Sequence, residues 1–210
     1  INMYGIPDTK VELLPLGLDD SLVDFEKKEE IRSSIRAKLN ISSGAFVIVT
    51  GGKIDARKNI HNLMNAVINL NHPHIKLIVF GTPNEQMEDM IQKLSSYESI
   101  INVGWISPEK VNEYFMASDL AFFPGTHSVL WEQAVGIGLP CVFRKWKGIQ
   151  HVDVGGNCLF IDDGSVDEIK KSILKVYQNI KLYKKMKNVS ETAGAKKFLY
   201  SEIAKKAIGL

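Results

Sequence analysis

Residues 46–81 read FVIVTGGKIDARKNIHNLMNAVINLNHPHIKLIVFG. Two almost wholly apolar runs, Phe46–Thr50 and Lys76–Phe80, enclose a segment in which Ile60, Leu63, Met64, Val67 and Ile68 recur at three- and four-residue spacing. Short runs without polar alternation are the pattern of strands buried on both faces of a parallel sheet. The spacing between them is that of an amphipathic helix. Residues 46–81 therefore predict strand, helix, strand.

The same alternation extends outward. Further apolar runs lie at Ile100–Val103, Leu120–Phe123, Cys141–Phe143 and Cys158–Ile161. Helical patterns fall between them at Asn84–Ser96, Ser107–Ala117 and Ser128–Gly136. The second of these opens Ser-Pro-Glu, an N-cap followed by proline at the first helical position. The third is stopped by Gly138 and Pro140. Glu26–Leu39 predicts a charged helix before the first strand, and 165–180, 181–193 and 197–208 predict three successive helices. The expected fold is α/β: a doubly wound, Rossmann-like parallel sheet with C-terminal helices. Without repeats or a Pro/Gly linker, residues 1–210 are expected to form one domain.

Composition agrees with a globular domain. Of 210 residues, 45% are hydrophobic and 24% charged, which excludes a disordered or collagenous chain. Cys141 and Cys158 have neither framework nor zinc-type spacing, which points to a reduced, cytoplasmic setting. No apolar run reaches the roughly 18–20 residues that span a bilayer, and no signal peptide pattern is present. The chain opens on Ile1, as an excised piece of a longer protein would. The net charge of +2 divides into −5 over residues 1–164 and +7 beyond. A basic C-terminal region fits an anionic membrane or nucleic acid, but its lysines sit on helical patterns beside the stripe Ile169, Ile173, Leu174 and Tyr177, as on a solvated helix face. The aromatics make no RNA-binding motif, so no nucleic acid partner is expected.

Ligands of open α/β sheets bind beyond the carboxyl ends of the strands. The first strand runs into Thr50-Gly51-Gly52-Lys53, then Ile54-Asp55-Ala56-Arg57-Lys58-Asn59. Gly51 and Gly52 permit close backbone approach. Lys53, Arg57 and Lys58 place positive charge where a helix macrodipole disfavours it. Such a cluster fits an anion; the alternative is a solvated basic turn. Neither G-x-G-x-x-G nor a Walker G-K-[ST] is present. In Asp119–Val142 (DLAFFPGTHSVLWEQAVGIGLPCV), a strand ends at Pro124 and Gly125-Thr126-His127-Ser128 opens a helix. Its amides, two hydroxyls and imidazole suit an anion or sugar hydroxyls. Glu132 lies one turn in, where it either binds a ligand or simply favours the dipole. No metal-ligand spacing, D-x-D, H-E-x-x-H or G-x-S-x-G occurs.

These segments together resemble the C-terminal, donor-binding domain of GT-B glycosyltransferases of group 1 (family 4), over nearly the whole chain. Lys10–Asp20 is similar to the family's V-x-V-I-P-N-G-V-D. Gly51-Gly52-Lys53 with Lys58-Asn59 resembles G-R-x-x-x-x-K-G/N. Ile75–Gly81 resembles the strand ending I-V-G-x-G, and Val103-Gly104-Trp105 resembles F-x-G. Ala117–Pro124 resembles A-D-x-x-x-x-P-S. Glu132–Val142 resembles E-A-M-A-x-G-x-P-V-V, and Asn157–Ile161 resembles N-G-x-L-x.

The resemblance implies a nucleotide-sugar donor such as a UDP- or GDP-sugar, no cofactor, no metal, and retention at the sugar carbon. Lys53 takes the family's Arg position and Lys58 its Lys position, both at the donor diphosphate. Gly104, Trp105 and Ile106 lie where the base packs, and Glu132 is placed as the second Glu of E-x7-E, at the ribose. Lys53, Lys58 and His127 form the expected catalytic set. Gly51, Gly52, Arg57, Gly104, Trp105, Ile106, Thr126, Ser128, Val129 and Glu132 form the binding set. The first Glu falls on Pro124, which leaves His127 and Ser128 to meet the sugar. The implied acceptor is a saccharide or lipid-linked molecule held by an N-terminal domain absent from this chain, in cell-surface polysaccharide or glycolipid synthesis at the inner face of the membrane. The isolated domain is expected to be inactive alone. The alternatives are a non-catalytic sugar-nucleotide-binding module and a nucleotide-sugar epimerase on the same scaffold.

Overall fold

The computed structural model describes Gly5, Pro7 and residues 11–209, so Lys10 of the opening segment lies outside the described residues. Six strands form one sheet: β1 Phe46–Gly51, β2 Ile75–Phe80, β3 Ile100–Gly104, β4 Leu120–Phe123, β5 Cys141–Arg144 and β6 Cys158–Ile161. Their order is β3-β2-β1-β4-β5-β6, and each neighbouring pair is parallel. The strands match the six expected runs; the four inner ones are apolar because central parallel strands are buried on both faces. The chain winds one way from β1 to β3 and the other from β4 to β6. The sheet is doubly wound, with its switch point between β1 and β4.

Alternate residues of β1 feed two cores. Val47 and Val49 pack with Ile35, Phe115, Trp131 and Phe198. Ile48 packs on the other face with Leu63, Val67, Ile91 and Ile173. Each such side chain, fully buried, favours the fold by about 1.5–3 kcal/mol. The first face carries α1 (Lys28–Lys38), α4 (Pro108–Met116), α5 (Leu130–Gly136) and α8 (Ala195–Phe198). The second carries α2 (Ile60–Leu70), α3 (Glu88–Leu94) and α6 (Val166–Tyr177), with Met186 of α7 (Ile180–Val189).

Helix α1 is tied to the sheet through one carboxylate. Asp119, just before β4, accepts from Arg32 Nη2 (2.5 Å), Arg36 Nη2 (2.7 Å) and the Val47 amide (2.7 Å). Arg36 also donates to the Ala117 and Ala45 carbonyls, so its buried guanidinium is well satisfied.

Helix α4 starts as expected, with Ser107 at the N-cap and Pro108 at the first helical position, but other helix starts differ. Asn84 does not begin α3. Its amide donates to Ile54 O, and Pro83 bridges Ile54; a turn closed by the Met87 amide on Asn84 O then leads into α3 at Glu88. Ser107 has the extended backbone of an N-cap, but its hydroxyl makes no capping bond. Helix α5 begins at Leu130, two residues after Ser128. The predicted last helix is broken at Leu199, between α8 and α9 (Tyr200–Ala207). Leu18 runs parallel to Leu199 there: its amide donates to Phe198 O and its carbonyl accepts from Tyr200.

Candidate functional site

The switch point opens into a cleft of about 590 Å³. The loop after β1 supplies Gly52, Lys53 and Lys58, and the ends of β2 supply Phe80, Gly81 and Thr82. The segment after β3 supplies Trp105, Ile106 and Pro108, and α4 adds Val111. The loop into α5 supplies Ser128 and Val129, and the helix itself supplies Leu130 and Gln133. One end of the cleft is therefore apolar and the other carries two lysines.

The base of the cleft depends on close backbone packing. At Gly81, φ is +119°, and a Cβ would overlap the Gly52 carbonyl. Gly125 sits flat on the backbone of Arg57 and Lys58, with no room for a side chain. Across that contact the Thr126 amide donates to Arg57 O at 3.0 Å.

The three basic residues of the first loop do different things. Arg57 is spent on Asp55: its Nη2 lies 2.8 Å from Oδ2, and its side chain is exposed away from the cleft wall. That guanidinium holds the Asp55 carboxyl below its ordinary value against the opposing effect of burial. The other Asp55 oxygen caps the turn at the Arg57 amide. Lys58 is half-buried, and its Nζ donates to the carbonyls of Thr126 and His127, each at 2.9 Å. Burial pushes its pKa below the ordinary lysine value. Lys53 stands exposed on the wall, with no hydrogen bond or ion pair among the described residues.

The second loop holds a buried acidic group. Glu132 is 2% exposed. His127 Nε2 lies 2.8 and 3.1 Å from its two oxygens, and His151 Nε2 lies 2.9 Å from Oε1. His151 belongs to the 3-10 turn Gln150–Val152 after β5, and its carbonyl accepts from Lys197 Nζ at 2.8 Å. Among the described residues, no group of three or more His, Cys, Asp or Glu is disposed to hold a metal ion.

Of the expected residues, Gly52, Lys53, Lys58, Trp105, Ile106, Ser128 and Val129 share the cleft wall. Gly51 lies beneath it against Phe80, and Gly104 O accepts from the Gly81 amide. Arg57, Thr126, His127 and Glu132 stand off the wall. Gln133, next to Glu132, is on it. The sequence held a signal for Gln133. In E-A-M-A-x-G-x-P the glutamate precedes the glycine by five and the proline by seven. Gln133, not Glu132, has those spacings to Gly138 and Pro140. His151 had no signal, since it reaches Glu132 from a separate loop.

A doubly wound parallel sheet with a lysine-lined cleft at its switch point has the architecture in which open α/β sheets place their ligands. Residues 31–192 match the family of glycosyl transferases group 1, and the chain belongs to that family. It is 17% identical to the uncharacterized glycosyltransferase MJ1607 of Methanocaldococcus jannaschii, over 100% of this chain and 55% of that protein. It is 26% identical to alpha-monoglucosyldiacylglycerol synthase of Streptococcus pneumoniae, over 63% of this chain and 32% of that protein. Among solved structures it resembles Anabaena Alr3699/HepE in complex with UDP and glucose. That match has a TM-score of 0.77 at 17% identity, covering 99% of this chain and 58% of that one. The fold is that of a Rossmann-like half of the GT-B architecture. The chain spans about half the length, or less, of the curated relatives it matches.

Proposed function

We propose that the cleft binds a nucleoside diphosphate sugar, and that the chain is the donor half of a metal-independent, retaining glycosyltransferase. The observation that carries this reading is the cleft itself: an apolar end at Trp105, Ile106 and Val111, and a cationic end at Lys53 and Lys58. An ammonium has three donors. Two of those on Lys58 hold the 126–127 carbonyls, and the third is free for the diphosphate. As the sugar–oxygen bond breaks, negative charge grows on that leaving group. Preorganised donors aimed at developing charge are worth ~2.7–4 kcal/mol each. Gln133 takes the ribose in place of Glu132, whose carboxylate is engaged by two histidines. Trp105, Ile106 and the Gly104 backbone take the base, and Ser128 and Val129 flank the diphosphate. Helix α5 has seven residues, so the anion is assigned to the lysines rather than to a helix dipole.

The acceptor is proposed to be a saccharide or lipid-linked molecule held by a domain outside this chain. Cell-surface polysaccharide or glycolipid synthesis is the proposed setting, consistent with the glycolipid synthase named above. Among the described residues no helix is long and apolar enough to cross a membrane. The exposed lysines of α7, Lys181, Lys184, Lys185 and Lys187, give a basic face suited to anionic headgroups at the inner surface.

Calorimetry with UDP and with GDP in EDTA tests the reading. One of them should bind. Binding that requires added Mg²⁺ or Mn²⁺ would remove the metal-independent part, and no binding of either would remove the donor reading. UDP release by the full-length enzyme separates transfer from a purely binding role.

Lys58 also gives a pH dependence. A bound diphosphate favours the ammonium and raises a pKa that burial has lowered. Affinity should therefore fall as pH rises through the free-state value, and binding there should take up a proton. Titrations in two buffers of different ionisation enthalpy measure that uptake. It should vanish in Lys58→Met.

A further inference from the structure

We propose that Glu132 is a positioning residue. With His151, it holds His127 in the Nε2–H tautomer, so that the open Nδ1 accepts a hydrogen bond from a hydroxyl of the donor sugar. This rests on the donor-binding reading above and names the group that meets the sugar.

A buried carboxylate must be satisfied by donors. Among the described residues, the Glu132 side chain has two partners, the Nε2 atoms of His127 and His151. An ionised carboxylate only accepts, so both rings carry their proton on Nε2. The two other ring nitrogens differ. His151 Nδ1 is buried without a partner among the described residues. A proton there would be an unsatisfied buried donor, so His151 serves as a neutral Nε2–H ring. His127 Nδ1 also has no partner among the described residues, but its side chain is 31% exposed and the nitrogen is not sealed. With Nε2–H committed to Glu132, the Nδ1 of the neutral ring is a lone-pair acceptor.

The ring is held from several sides. Its edge meets Trp131 at 5.2 Å, and Trp131 stacks on Phe143 at 4.3 Å. Lys58 grips the His127 carbonyl. His151 is backed by Phe198, and its carbonyl by Lys197. The position fits the ligand's shape. A nucleotide sugar is linear: base at Trp105, diphosphate at Lys58, sugar beyond. His127 immediately precedes Ser128 of the wall, and its carbonyl accepts from Lys58 Nζ at 2.9 Å, which keeps it beside the cationic end.

The test uses the chain labelled with ¹⁵N-histidine, with long-range ¹H–¹⁵N spectra at mildly alkaline pH. His127 should be a single Nε2–H tautomer in the unsubstituted protein and in Glu132→Gln, whose amide oxygen still accepts. It should be mixed in Glu132→Leu. The advantage of UDP-glucose over UDP, read by calorimetry, should fall about fivefold in Glu132→Leu, the worth of one neutral hydrogen bond. Glu132→Gln should restore it, with UDP affinity alike in all three. An Nδ1–H tautomer in the unsubstituted protein overturns the proposal. So does an equal loss for UDP and UDP-glucose, which marks a packing role. Should neither nucleotide bind while the tautomer is as expected, the donor reading and the sugar partner fall together and the positioning by Glu132 stands. The spectrum of the unsubstituted protein decides the tautomer even if Glu132→Leu does not fold.

Discussion

Asp119→Ala is expected to lower the unfolding free energy by about 3–5 kcal/mol, the cost of removing one partner from a buried ion pair. The carboxylate gathers Arg32, Arg36 and the Val47 amide. Without it the Arg36 charge stays buried with two carbonyls and no counter-ion, and the amide of the fully buried Val47 loses its acceptor. Urea denaturation measures the change as a lower midpoint at unaltered slope. Asp119→Asn keeps an acceptor oxygen and should cost less. Asp119 precedes β4, whereas the cleft lies beyond the strand's other end. UDP affinity of the folded variant should therefore be unchanged. A loss of affinity without a loss of stability would contradict this account.

Lys58→Met should weaken UDP binding by roughly 10- to 100-fold, since hydrogen bonds to charged groups contribute about 1.5–3 kcal/mol. Methionine keeps the length of the stem but removes both the charge and the donors to Thr126 and His127. Lys53→Met removes an exposed charge that solvent already screens, so a loss of only a few-fold is expected there. Equal effects of the two substitutions would mean that Lys58 gains nothing from being half-buried and clamped. Thermal melts of both variants report whether the clamp also supports the fold.

The four inner strands were legible in the sequence because a central parallel strand is apolar on both faces and needs no partner to be read; the edge strands β3 and β6 were legible because their runs are mostly apolar too. The start of α3 and the break before α9 were not, because tertiary pairing sets them, whereas the Ser107-Pro108 start of α4 was. Pro83 and Asn84 are held by Ile54, and Leu199 is drawn out by Leu18, which lies far away in sequence. The basic loop was legible as a cluster, but charge alone could not show that Arg57 turns to Asp55 while Lys58 turns to the opposite loop. Glu132 and Gln133 illustrate the angular limit of such reading. Neighbours on a helix point about 100° apart, so a shift of one residue exchanges the cleft wall for the buried side. Only the spacing to Gly138 and Pro140 carried that register.

The contact of Gly125 with the Arg57–Lys58 backbone has a kinetic consequence. Together with the Thr126–Arg57 bond and the Lys58 clamp, it joins the two loops of the cleft before any nucleotide arrives. Little of the binding free energy is then used in ordering the wall. Association should proceed as a single exponential whose rate rises linearly with nucleotide concentration, without a slow gating phase. Differences between nucleotides should lie in their residence times rather than in their arrival.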